Sequence, residues 1–145
     1  MTTEKIVDNF IAAVTRRDSK TVGAMFAKNS EFVEIPGTGV VAHGQEQITA
    51  LWENFFKDVS HEKKDNRWDI HTKIISGNHA AIERTSYFVF KGKKMAVEMI
   101  LILEIENGKI KACRDYCDSR AFIPQEDSEG WKAYRDSLKK LGVTK

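Results

Sequence analysis

Arg84 stands in the middle of an otherwise apolar stretch, Ala80 Ala81 Ile82 Glu83 Arg84 Thr85 Ser86 Tyr87 Phe88 Val89 Phe90. Side chains alternate along a strand, so Arg84 shares a face with Ala80, Ile82, Ser86, Phe88 and Phe90 and points inward with them. A guanidinium does not give up its proton, and a buried charge without a partner is costly, so a carboxylate is expected beside it. Thirty residues on, Cys113 Arg114 Asp115 Tyr116 Cys117 supplies Asp115, flanked on its own strand face by two cysteines. An Arg84–Asp115 pair in an apolar cavity would be a place to bind a small molecule and move a proton on it. The plainer reading is a buried ion pair that fixes strand register and has no chemical duty.

The other reactive residue types form no second constellation. Cys113 and Cys117 are four steps apart, roughly 13 Å along an extended strand, which is beyond disulfide reach. They read as packing residues. His43, His61, His71 and His79 are scattered and none stands at ligand spacing beside a cysteine, so no metal is expected. The glycines of Gly37 Thr38 Gly39 lack the strand-to-helix setting of a phosphate loop.

Bulk properties narrow the class. A chain of 145 residues, 41% hydrophobic and 30% charged, suits one domain with one core, and the whole of 1–145 is expected to be that domain. Twenty-three Lys and Arg against twenty-one Asp and Glu leave a charge of +2 with no basic stripe, which argues against nucleic acid as a partner. The longest apolar run, Met99 to Leu103, is far too short to span a membrane, and the polar start Met1 Thr2 Thr3 Glu4 Lys5 is not a secretory signal. A cytoplasmic protein is expected.

The elements that must position Arg84 and Asp115 follow from periodicity. Ile6, Val7, Phe10, Ile11 and Val14 form one helical stripe over Glu4 to Thr15. Asp18 caps a second helix predicted to run through Ala27, with Val22, Met25 and Phe26 inward. Glu31 to Ile35 reads as a strand stopped by Pro36, and Gln45 to Lys57 as a third helix carrying Ile48, Leu51, Trp52, Phe55 and Phe56. Then come Trp68 to Ile75, Ala80 to Phe90, Met95 to Ile105 and Ile110 to Asp118, joined at Gly77 Asn78, Lys91 to Lys94 and Asn107 Gly108 as three successive hairpins. On the third of these strands Val97, Met99, Leu101, Leu103 and Ile105 face the core, while Glu98, Ile100, Ile102 and Glu104 face away. A last helix is expected over about Ser128 to Leu141. The order is that of an α+β fold, three N-terminal helices packed on a strongly curved, mainly antiparallel sheet that they close into a cone.

That order, with Glu83 Arg84 and the string Arg114 Asp115 Tyr116 Cys117 Asp118 Ser119 Arg120 Ala121 Phe122, resembles the limonene-1,2-epoxide hydrolases and SnoaL-like proteins of the NTF2-like superfamily. The resemblance covers about 4–122, leaving 128–141 as a C-terminal helical extension. It implies that the water-activating aspartate of such hydrolases matches Asp115 and the arginine that holds it matches Arg84. The second, proton-donating aspartate falls on Ser86, a tyrosine on Phe32 and an asparagine on Glu34, so three of the five positions depart from the hydrolase pattern. Ser86 is a poor acid and Phe32 has no hydroxyl. Glu34, in exchange, adds a carboxyl: Asp115 held by Arg84 is expected to keep a low pKa, and Glu34 against apolar walls to be pushed up and protonated.

The resemblance therefore implies a cofactor-independent acid–base enzyme, isomerase or cyclase or epoxide hydrolase in type, acting on a small apolar molecule. Asp115 would be the base, Arg84 its holder and Glu34 the acid, with Phe32, Ser86, Phe88, Val97, Met99 and Trp52 lining the pocket. By pattern alone, the strand at Glu31 to Ile35 also fits Val33 and Ile35 inward with Glu34 in water. Two rivals share the fold: a binding module that holds a ligand without chemistry, and a scaffold whose cone is filled by Phe32, Phe88 and Met99. The half-apolar face of Glu98, Ile100, Ile102 and Glu104 suggests a homodimer through the sheet.

Overall fold

The computed structural model describes residues 1–36, 39–58, 66–90, 92–118 and 136–142. Helix α1 (Thr3–Thr15) starts where the Thr2 hydroxyl accepts from the Lys5 amide at 3.2 Å, and it buries Ile6, Val7, Phe10, Ala13 and Val14. Helix α2 (Ser19–Ala24) is capped by Asp18, whose carboxylate accepts from the Thr21 amide at 3.0 Å. It is shorter than its apolar spacing predicts. The chain leaves the helix at Met25 because Phe26 already belongs to strand β1 (Phe26–Glu34), paired with Ile110, and the Met25 carbonyl accepts from the Ile110 amide at 2.9 Å. Sheet pairing across more than eighty residues thus overrides a local helical preference.

Strand β2 (Val40–His43), which the sequence pattern does not announce, pairs antiparallel with β1 as an edge of the sheet. Helix α3 (Gly44–Asp58) follows at once. It lies close on α2 at Gly23, where any side chain would run into Thr49. Strands β3 (Arg67–Ser76), β4 (His79–Phe90), β5 (Lys93–Glu106) and β6 (Lys109–Tyr116) form the meander, and Asn107 and Gly108, both with positive φ, make the last turn. The six strands lie in the order β2-β1-β6-β5-β4-β3, with β1 and β6 parallel and every other neighbour pair antiparallel.

The core sits between the three helices and one face of this sheet. Phe10, Phe26, Phe32, Ile48, Trp52, Ile82, Leu101, Leu103 and Ile110 meet there. Each such side chain, fully buried, contributes about 1.5–3 kcal/mol. The core face expected of β5 is the observed one: Val97, Met99, Leu101, Leu103 and Ile105 are all buried, whereas Ile100 is exposed. Of the expected C-terminal helix, only 136–141 falls within the described residues, helical over 136–138 and closing in a 3-10 turn at Lys139–Leu141. The stretch 128–135 and residues 119–122 of the quoted string lie outside them.

Candidate active site

The pairing of β4, β5 and β6 places Arg84 opposite Met99, and Leu101 opposite Asp115, so the guanidinium reaches diagonally across β5 to the carboxylate. Nη1 donates to Oδ1 at 3.0 Å and Nη2 to Oδ2 at 2.7 Å, a two-pronged pair with Arg84 2% and Asp115 6% exposed. Nε donates to the Ser86 hydroxyl at 3.0 Å, and the Met99 sulfur lies 3.5 Å from Nη2. The Trp68 ring covers the guanidinium face with its centroid 4.0 Å away. The fork, the Nε and one face of the cation are therefore occupied.

Trp68 reaches that position because of a bulge. Counting back from the Gly77 Asn78 turn, an unbroken ladder would set Trp68 opposite Tyr87, on the outer face. A register shift between Ile70 and Thr72 sets it opposite Ser86 instead, on the inner face beside Arg84. The extra residue, His71, turns outward and its Nε2 lies 2.7 Å from the Thr85 hydroxyl. Trp68 is a site residue that strand alternation misses; its only sequence signal is an aromatic at the start of a strand whose hairpin partner holds the buried arginine.

Glu34 is directly across the parallel ladder from Asp115, as Phe32 is from Cys113, so all four side chains share the inner face. Of the two poses that fit the pattern, this puts Glu34 inward and half-buried. Ile35 is buried as well, at 7% exposed, although it follows Glu34 directly. Its φ of 48°, in the left-handed region that a β-branched residue rarely adopts, breaks the alternation as its amide donates to the Asp115 carbonyl at 2.8 Å. Two consecutive side chains are thereby withdrawn from solvent at the end of β1.

The electrostatics correct one expectation. Burial pushes the Asp115 carboxyl above the usual carboxylate range, outweighing the Arg84 charge and hydrogen bonds that pull it down. A single neutralising partner does not replace the water that a fully enclosed carboxylate gives up. Glu34 is pushed up to about 7, first by burial and then by the nearby Asp115 charge. Of the two, Glu34 is the group that both holds and releases a proton near neutrality, because both Asp115 oxygens already accept from Arg84. Burial, and next the Asp115 charge, raise the Cys117 thiol to about 11, and the buried Cys113 thiol is also raised, so both remain protonated thiols. Neither is in a disulfide.

Around these groups Phe32, Val97, Met99 and Trp52 are buried and Phe88 is half-buried. Phe32 and Trp52 belong to an aromatic shell whose rings touch Trp68 in turn. Among the described residues no group of three or more His, Cys, Asp or Glu side chains is arranged to hold a metal ion. A surface groove of about 550 Å³ lies elsewhere, between α2 and α3, lined by Lys20, Gln45, Glu46, Thr49 and Glu53 among others. It shares no residue with the buried site. No described helix is long and apolar enough to cross a membrane.

A curved sheet closed by three helices is the NTF2-like fold. The profile of the SnoaL-like domain matches residues 7–113, and the chain belongs to that family. Among solved structures, it is similar to a Catenulispora acidiphila protein of ketosteroid-isomerase-like fold, in complex with trimethylamine, at 24% identity and a TM-score of 0.71 over 83% of this chain and 90% of that one. An NTF2-like protein of unknown function from Burkholderia pseudomallei has 20% identity and a TM-score of 0.72, over 85% and 96%. An M. tuberculosis LEH-like epoxide hydrolase has 20% identity and a TM-score of 0.68, over 97% and 95%. At these identities the likeness establishes the fold. None of the curated proteins matches the sequence.

Proposed function

We propose that the protein is a cofactor-independent acid–base enzyme of the isomerase or cyclase type, which moves a proton on a small, mainly apolar molecule held beside Glu34, Asp115 and Arg84. The observation that carries this reading is a half-buried carboxyl, Glu34, directly across the ladder from a carboxylate held by an arginine. Glu34 is the proton carrier. Burial first, and then the negative charge of Asp115 fixed by Arg84, keep Glu34 protonated. Phe32, Ser86, Phe88, Val97, Met99 and Trp52 form the wall. A positioned acid or base contributes about a hundred- to ten-thousand-fold, enough for a modest isomerase without a cofactor.

Epoxide hydrolysis is the less favoured chemistry, because Ser86 and Phe32 stand where the hydrolases of this type carry an acid and a hydroxyl, and Ser86 is engaged with Arg84. A non-catalytic binding module is favoured by a different observation, that both Asp115 oxygens are already taken by Arg84. Incubating small cyclic ketones in heavy water and small epoxides in heavy-oxygen water separates the three. Deuterium entering next to the carbonyl, and lost in Glu34→Gln, supports the isomerase; an oxygen-labelled diol supports the hydrolase; binding without either label supports the module.

The reading extends to the rest of the chain. One domain over 1–145 would carry the site, and two copies would pair through the outer sheet face, where Ile74, Ile100 and Tyr116 are 56%, 42% and 43% exposed.

A further inference from the structure

The bulge at His71 aims two neighbouring side chains at once. Arg67 lies outside, its guanidinium 3.9 Å from the centroid of the Tyr87 ring, and Trp68 lies inside with its centroid 4.0 Å from the Arg84 guanidinium. Without the extra residue the parity of both would invert, and Trp68 would leave Arg84. β3 is the last strand of the sheet, so ladder bonds fix its surplus residue along one side only. Side chains on the outer face hold it as well. The Thr85 hydroxyl, 5% exposed, donates to Glu98 Oε1 at 2.7 Å, and His71 Nε2 lies 2.7 Å from the same hydroxyl oxygen. A hydroxyl has one proton to give, so on that side Nε2 is the donor. The surplus residue of β3 is thus tied through β4 to β5. Toward the hairpin, Lys73 keeps its inward parity by meeting Asp8 of α1 at 2.7 Å.

We infer that His71, Thr85 and Glu98 are positioning residues, a hydrogen-bonded stitch on the outer face that holds the bulge of β3 and so keeps the Trp68 ring over Arg84 on the inner face. All three side chains lie on the opposite side of the sheet from the pair they serve. The ring keeps water from one face of the guanidinium, and a cation stacked on an indole interacts more strongly once water is removed. Bulges beside functional sites commonly re-aim a side chain in this way. If burial of the ring alone held the register, removing one hydroxyl on the far side of the sheet would leave the ring where it is. The inference rests on the proposal that Arg84, Asp115 and Glu34 form a proton-moving site, and it adds residues that set that site from across the sheet.

The Arg84 Nε–H, which donates to Ser86, is the reporter in an NMR experiment. Under the indole face its resonance is displaced upfield, and Trp68→Leu gives the position it takes with no ring above it. Thr85→Val keeps the branched shape and removes the hydroxyl. In that variant, and in His71→Ala at a half-exposed position should the buried change prevent folding, the resonance is expected to move most of the way to its Trp68→Leu position. Thr85→Ser, which keeps the hydroxyl, and Thr72→Val, which loses only the 3.3 Å bond to Glu83 beyond the bulge, should leave it where the wild type has it. Deuterium entry into cyclohexanone in heavy water is expected to fall about ten- to a hundredfold in Thr85→Val, the scale of a misplacement remote from the chemistry. Once Trp68 is leucine, Thr85→Val should cause no further loss. An unmoved resonance in the outer-face variants, or full additivity with Trp68→Leu, overturns the inference. A wild type that incorporates no deuterium overturns the proposed reaction instead, and the resonance still decides the stitch.

Discussion

Two neighbours on β6, Arg114 and Asp115, each form an ion pair at 2.7 Å, one on either side of the same sheet. Asp115 meets Arg84 inside, with side chains 8% and 2% exposed; Arg114 meets Glu104 outside, with side chains 31% and 34% exposed. The closest distance is the same, but the inner pair is two-pronged and enclosed where the outer one is neither. Outside, water screens the pair and is at hand to replace either partner. Inside, the environment raises the carboxyl of Asp115, draws a tryptophan over the guanidinium and pushes a third group, Glu34, to about 7. Equal closest distances thus conceal unequal burial.

The largest expected effect tests that contrast directly. Asp115→Ala leaves Arg84 buried and unpaired and should cost about 3–5 kcal/mol in urea unfolding, whereas Glu104→Ala should cost less than about 1 kcal/mol. Equal losses would mean that burial is not what separates the pairs. Replacing both inner partners at once, Arg84→Met with Asp115→Leu, should restore much of that loss, because well-packed apolar residues often substitute for a buried pair. The same double variant should show no ligand affinity.

Glu34 sharpens the comparison through pH. Its raised pKa means the folded protein holds a proton that the unfolded chain releases above about 4.5. Stability from this group is present in full below the unfolded value and is lost as pH rises through about 7. Wild type minus Glu34→Gln stability should therefore decline from mildly acidic to neutral pH, and a flat difference would place Glu34 in water. Turnover that needs Glu34 as acid should fall above pH 7 and drop about a hundred- to ten-thousand-fold in Glu34→Gln. On the outer face, Ile100→Asp should halve the mass measured by light scattering if two copies pair there. Smallest of all, raising salt to about 1 M, where screening acts over roughly 3 Å, should erase the effect of Glu104→Ala and leave that of Asp115→Ala intact.

Much of this was legible from local pattern. Alternation placed Arg84 on an apolar face, Val97 to Ile105 in the core and Arg114 on the side away from Asp115, because side-chain direction in a strand depends only on parity. What parity could not reach was any point where it fails. The bulge near His71 turns Trp68 inward, and the positive φ at Ile35 breaks the alternation so that Ile35 is buried directly after the half-buried Glu34. The early end of α2 at Ala24 was equally hidden, since the cause is Ile110, far along the chain.

By itself, then, the sequence determined which residues would be enclosed and which two charges had to find one another, for a buried guanidinium demands a carboxylate wherever the chain happens to put it. The tertiary structure alone decided how enclosed those charges are and what else shares their space: Trp68 over the cation and Glu34 across the ladder. Proton affinity depends on the loss of water and on neighbours from distant strands, and neither quantity exists until the sheet has closed.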